Sequence, residues 1–102
     1  MIVDLNGKNI ESTKPVIGPF DRGLVLGDGI FETIRIKNFI PQFFNLHMER
    51  FFKGASFLNM SIETSKKEIE TRIINLLKLN NQKDAVVRLT LTRGFGKRGL
   101  LI

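Results

Sequence analysis

The segment 30–58, IFETIRIKNFIPQFFNLHMERFFKGASFL, changes its hydrophobic period midway, and that change decides the fold. At first Ile30, Glu32, Ile34 and Ile36 alternate with Phe31, Thr33, Arg35 and Lys37. This is the period of a strand, and its β-branched content agrees. A second strand around Pro41 to Phe44 is expected to pair with it. From Asn45 the spacing becomes helical, with Asn45 as the N-cap and Leu46, Phe51, Ala55 and Leu58 recurring near every 3.6 residues. His47 and Arg50 lie three apart on one face of that helix.

Downstream, SKKEIETRIINLLKLNN (65–81) opens with Ser65-x-x-Glu68, a capping box, and sets Ile69, Ile73, Leu76 and Leu77 on one stripe. DAVVRLTLT (84–92) returns to period two, with Val87, Leu89 and Leu91 on one side and Arg88, Thr90 and Thr92 on the other. Upstream, MIVDLNGKNIES reads as a hairpin around Asn6-Gly7, a dipeptide that accepts positive φ at both turn positions. TKPVIGPFDRGLVLGDG (13–29) is broken by glycine and proline and reads as a structured loop of the kind found near ligands. Strands, two helices and a further strand give an α+β class, a small two-layer domain with two helices packed on an antiparallel sheet. Residues 1–102 form one domain, without repeats, low-complexity tracts or a linker.

A hydrophobic content of 42% with 25% charged residues suits a globular chain of 102 residues. With no cysteine and one histidine, His47, neither a disulfide framework nor a zinc cluster is expected, and no metal ligands are assigned. No run approaches the roughly 20 apolar residues that span a bilayer, and the start lacks a basic segment followed by an apolar one. A soluble, cytoplasmic protein without a membrane partner is the expectation. The net charge of +6 favours anionic partners, yet lysine and arginine are spread along the chain. The local excess at Arg88, Arg93, Lys97 and Arg98, with no acid among them, makes the end of the sequence the expected anion-facing surface.

That end contains Gly94-x-Gly96-x-x-Gly99, which matches a dinucleotide fingerprint, and Arg93-Gly94-Phe95-Gly96, which matches the first half of an RNA-binding pattern. The fingerprint needs a following helix and an acid about 20 residues on, and only three residues remain after Gly99. The RNA pattern next needs an aromatic residue and valine, where Lys97 and Arg98 stand. No nucleic-acid partner is expected. A solvated basic turn is the plain alternative, as a structural histidine is for His47 and a surface cation for Arg50. No nucleophile sits beside a base, and no lysine has a context that marks it as desolvated, so no catalytic residue is assigned. The residues alone support an anion-binding α+β domain.

Taken together, FDRGLVLGDGIFETIRI (20–36), HMERFFKGASFL (47–58) and RLTLTRGFGKRG (88–99) resemble the N-terminal domain of class IV aminotransferases, the fold-type IV pyridoxal phosphate enzymes. That family includes branched-chain and D-amino-acid aminotransferases and aminodeoxychorismate lyase. The resemblance implies that Arg50 binds the cofactor phosphate, a role suited to a planar, permanently charged fork. It implies that Phe31 lines the substrate side, where D-amino-acid enzymes tend to carry a tyrosine. Phenylalanine cannot donate a hydrogen bond to a carboxylate, which weighs against that branch. It further implies that the closing loop meets the substrate carboxylate, often in the other subunit of a homodimer, through Arg98 or, failing that, Lys97. Asn38-Phe39 departs from the Asn-Gly common in relatives, so a different turn is expected there. The lysine that carries pyridoxal phosphate, and most of the phosphate cup, would belong to a larger C-terminal domain that these residues do not contain. The implied chemistry is transamination or elimination on an amino-acid or amino-carboxylate substrate, and 1–102 by themselves are expected to be inactive.

Overall fold

In the computed structural model, which describes residues 1–14, 17, 18 and 20–94, the elements run β1 (Ile2–Leu5), β2 (Lys8–Glu11), α1 (Arg22–Leu26), β3 (Gly29–Lys37), β4 (Ile40–Pro41), α2 (Phe44–Phe57), α3 (Lys66–Leu79) and β5 (Ala85–Thr92). The class is α+β, as the periodicities indicate. Its strands form two sheets: β1 and β2 pair by themselves, while β3 lies between β4 and β5, with every pairing antiparallel.

Strand β3 carries the alternation that defines the domain. Glu32, Ile34 and Ile36 are buried, and Phe31, Thr33, Arg35 and Lys37 are exposed. Ile34 and Ile36 enter one cluster with Met48 of α2 and Ile69, Ile73 and Leu77 of α3, with Phe39, Phe44, Phe52, Ala85, Val87 and Leu89 packed around it. Both long helices therefore share a core with one face of the sheet, and the opposite face is left open.

On α3, Ser65 caps the helix by accepting a hydrogen bond of 3.1 Å from the Glu68 amide, the N-cap half of the expected capping box. Helix α2 differs from expectation. It starts at Phe44, Asn45 lies inside its first turn, and Phe43 takes the cap position at φ 53° with no side-chain cap. The cause is the preceding strand: the Gln42 amide still donates to Arg35 O at 2.8 Å, so the chain must leave the sheet and enter the helix within one residue. Met48, Phe51 and Ala55 consequently form the buried stripe, and Leu46 is exposed.

The second strand is likewise shorter and earlier than expected, ending at Pro41 rather than Phe44. The turn before it corrects another expectation. Asn38 and Phe39 have φ of 52° and 62°, positive at both positions as Asn-Gly would supply. Tertiary contacts hold this conformation. Asn38 N–H donates to Asp84 Oδ1 at 2.9 Å, Phe39 N–H donates to Lys83 O at 2.8 Å, and the Phe39 ring packs against the core.

The first hairpin turns at Asn6 and Gly7, as the sequence predicts, with φ of 54° and 88°. It is tied to α3 by Arg72, whose Nε and Nη2 donate to Asp4 at 2.8 and 2.7 Å, and by the Asn80 amide, which meets both the N–H and the C=O of Ile2.

Candidate functional site

Because β3 alternates faces, Glu32 points under α2, where it is 6% exposed. A carboxylate there needs strong partners. Two come from a single helical face. Arg50 donates through Nε to Oε2 at 2.9 Å and through Nη2 to Oε1 at 2.7 Å, and His47 Nδ1 lies 2.6 Å from Oε1. The Arg50 hydrogen bonds first, and then that of His47, hold the Glu32 carboxyl below its ordinary range, while the carboxylate raises the Arg50 pKa. Glu32 occupies two of the five guanidinium N–H donors, and the side chain of Arg50 is 73% exposed. Three donors remain without a partner among the described residues, including both on Nη1, so a fork is still presented to an anion.

Phe31 stands on the opposite face of the same strand and takes no part in this network. The residue is 54% exposed, and the Arg88 guanidinium lies over its ring, 4.1 Å from the centroid. The register explains the meeting: Phe31 pairs with Thr90 and Thr33 with Arg88, which places the arginine diagonally across the ladder from the ring. Among the described residues Arg88 has no carboxylate partner. The open sheet face thus pairs an aromatic surface with an uncompensated cation, and Arg35 and Lys37 are exposed on the same side.

A third network accounts for the glycine- and aspartate-rich stretch 21–29. Asp28 Oδ2 accepts from Arg93 Nε at 2.6 Å and from Arg22 Nε at 3.1 Å, and Arg93 Nη2 also donates to Leu58 O at 2.7 Å. The Arg93 hydrogen bond leads the causes that hold the Asp28 carboxyl low. Thr92 Oγ1 donates to Asp21 Oδ2 at 3.0 Å, and Arg22 N–H donates to Gly94 O at 2.8 Å. A Cβ at Gly23 would come within 2.2 Å of Thr92 Cγ2, and one at Gly29 within 2.6 Å of Leu91 O, so both glycines allow the loop to lie flat on the end of β5. The loop also contains α1, a five-residue helix that the glycine pattern concealed.

These three networks divide the candidate residues. Arg50 is anchored and retains free donors, and Phe31 is exposed beside Arg88. Lys97 and Arg98 lie outside the described residues. Arg93 differs from Arg88 in having a carboxylate partner, Asp28, which it shares with Arg22, and its Nη2 donates to Leu58 O. One participant was missed from the sequence. Glu32 had a usable signal, an acid at an inward position of an otherwise isoleucine-lined strand face. Arg88 was among the expected anion-facing cations, but its contact with Phe31 depends on strand register. All described lysines are exposed.

Comparison with known proteins follows the same outline. The aminodeoxychorismate lyase of Bacillus subtilis is 35% identical over 102 residues, covering 98% of this chain and 35% of the relative. The D-alanine aminotransferase of Bacillus licheniformis is 32% identical over 98 residues, covering 96% of this chain and 35% of the relative. The chain therefore spans about a third of the length of these relatives. A solved structure, a hypothetical aminotransferase from Mycobacterium tuberculosis in its PLP-bound form, superposes with a TM-score of 0.77 at 21% identity over 93% of this chain and 34% of that one, a likeness of fold. The family model described as amino-transferase class IV matches residues 29–101, from the first residue of β3 to the closing glycine-rich segment. This chain belongs to the amino-transferase class IV family.

Proposed function

We propose that residues 1–102 are the N-terminal small domain of a larger pyridoxal phosphate enzyme acting on amino acids, with Arg50 seating the cofactor phosphate and Phe31 facing the substrate. The observation that carries this reading is the state of Arg50. Its guanidinium is already held by a buried carboxylate, yet it keeps a free fork on the exposed side of α2. A phosphate dianion fits that arrangement, because it accepts parallel N–H bonds from a planar cation. Bound there, pyridoxal phosphate supplies an electron sink for reaction at the amino-bearing carbon.

The chain's own contribution is binding and orientation. Arg50 holds an anion at a fixed point on α2. Phe31 and Arg88 offer an apolar wall with a cation above it, a surface suited to a substrate with both a hydrocarbon part and a carboxylate. Lys97 and Arg98 remain proposed contacts for that carboxylate from the closing segment. The homodimer, the cytoplasmic location and a C-terminal domain carrying the cofactor lysine belong to the same reading. The shared third of the relatives' length supports the last of these.

Transamination is the first reading and elimination of the aminodeoxychorismate lyase kind the second, favoured by the 35% identity to the lyase relative. The full-length protein, loaded with pyridoxal phosphate and mixed with single amino donors, decides between them. Stoichiometric conversion of the cofactor to its amine form, with release of the matching keto acid, supports transamination. Turnover of aminodeoxychorismate without that conversion supports elimination. No reaction with either class contradicts the proposal.

A further inference from the structure

The Glu32 carboxylate is costly to bury, and β3 places it at the one inward position of its middle stretch that is not isoleucine. Its partners are all cationic or able to become so, and both lie on α2, three residues apart. The isoleucine core at positions 34 and 36 already joins this strand to the helices. An isoleucine at 32 would extend that core without the desolvation of a charge. The geometry points to a different use. We propose that Glu32 and His47 are positioning residues that hold the Arg50 guanidinium in one orientation before any anion arrives. This rests on the reading of Arg50 as the phosphate seat.

The physical case is one of preorganisation. An exposed arginine has several rotatable bonds, and freezing them when an anion binds weakens the complex. Here two parallel hydrogen bonds have already fixed the plane of the guanidinium. His47 in turn braces Oε1, the oxygen that also receives Nη2. Side-on pairing uses Nε and Nη2 and leaves both Nη1 donors and the second Nη2 donor on the far edge. Glu32 also has an opposing effect, because its negative charge repels a dianion on the other side of the guanidinium. Salt separates the two effects. Coulombic repulsion across an exposed side chain is screened at high ionic strength, whereas the ordering of the fork is not.

The test uses the full-length protein and does not require turnover. In the wild type, the Arg50 Nε–Hε group should give a resolved, slowly exchanging NMR cross-peak, and Glu32→Gln should return it to the position of free arginines while amides elsewhere in β3 and α2 keep their shifts. At high ionic strength the same variant should bind pyridoxal phosphate about threefold to tenfold more weakly, the range expected for ordering one long side chain. Affinity for pyridoxal, which lacks the phosphate, should not change. A wild-type Arg50 signal already averaged with free arginines overturns the proposal, whether or not the variant folds. So does a Glu32→Gln protein that keeps the Arg50 signal, or one that binds pyridoxal phosphate as tightly as wild type or more tightly at high salt. Arg50→Ala separates this proposal from the reading beneath it. Undiminished phosphate-dependent affinity in Arg50→Ala removes Arg50 as the seat, whereas a loss in Arg50→Ala without any loss in Glu32→Gln removes only the positioning role.

Discussion

Glu32 and Arg50, eighteen positions apart, are joined by two parallel hydrogen bonds of 2.7 and 2.9 Å that lock strand β3 to helix α2. Since the Glu32 pKa is lowered in the folded state, chiefly by Arg50, the unfolded chain binds more protons in acid. The pair's contribution to stability is therefore complete above the ordinary value of 4.5 and is lost as pH falls through the lower folded value. Asp4, held low chiefly by Arg72, adds to the same trend. Urea midpoints should fall from neutral pH to about pH 3.5, and Glu32→Gln should flatten that dependence. Parallel curves for wild type and variant would show that the pair does not couple folding to pH.

Phe39 adopts φ of 62°, a region that suits glycine, while its ring packs on the core. Phe39→Gly relieves the backbone but removes the ring, and for a partly buried aromatic the second effect is larger, so a net loss of about 1 to 3 kcal/mol is expected. Asn38→Gly, at φ of 52° on an exposed residue, should change stability by less than about 0.5 kcal/mol. Denaturant titration of both variants checks the contrast, and equal effects would mean that the turn rather than the ring fixes this corner.

Gly29 and Gly23 should respond differently to alanine. At Gly29 the added carbon meets backbone, Leu91 O at 2.6 Å and Thr92 Cα at 3.2 Å, whereas at Gly23 it meets the Thr92 side chain. Rotation of the Thr92 side chain would move Cγ2 but not Cβ, which the added carbon meets at 2.7 Å, and it would break the bond to Asp21, so at Gly23 the turn itself must shift. Gly29→Ala should cost about 2 to 3 kcal/mol and separate the start of β3 from the end of β5, whereas Gly23→Ala should cost a similar amount and lift the turn at Asp21–Gly23 from Thr92 while leaving the ladder paired. Hydrogen exchange at the 29–92 end of the ladder reads the difference.

What the sequence revealed follows from how local each signal is. Ser65 and Glu68 cap α3 through an i to i+3 bond, and the alternation of residues 30–37 depends only on neighbours, so both were legible. Asn45 was assigned as a cap because the true cap, Phe43, has no capping chemistry and is forced by the Gln42 to Arg35 bond. Helix α1 was hidden because its flanks are secured from a distance, by Gly94 O and Thr92, across a stretch whose glycines read as a loop. Arg50 was identified through family likeness, but its partner Glu32 emerged only once α2 was laid on β3. The Arg88 to Phe31 contact likewise required the register of β5.

The legible cap provides its own check. Ser65→Ala should lower stability by about 1 kcal/mol, the usual loss for one N-cap hydrogen bond, and Ser65→Asp should restore most of it. A wild-type midpoint in Ser65→Ala would mean that the packing of Ile69, Ile73 and Leu77 alone fixes the start of α3.

Equilibrium titration of the full-length protein with pyridoxal phosphate and, separately, pyridoxal, in wild type, Arg50→Lys and Arg50→Ala, is the most direct test of Arg50 as the phosphate seat. Lysine keeps the charge but loses the planar fork, so both variants should bind pyridoxal phosphate more weakly, alanine by about one to two orders of magnitude and lysine by less. Pyridoxal affinity should be the same in all three proteins. Equal pyridoxal phosphate affinities across the three would contradict the account and leave Arg50 as a surface cation paired with Glu32.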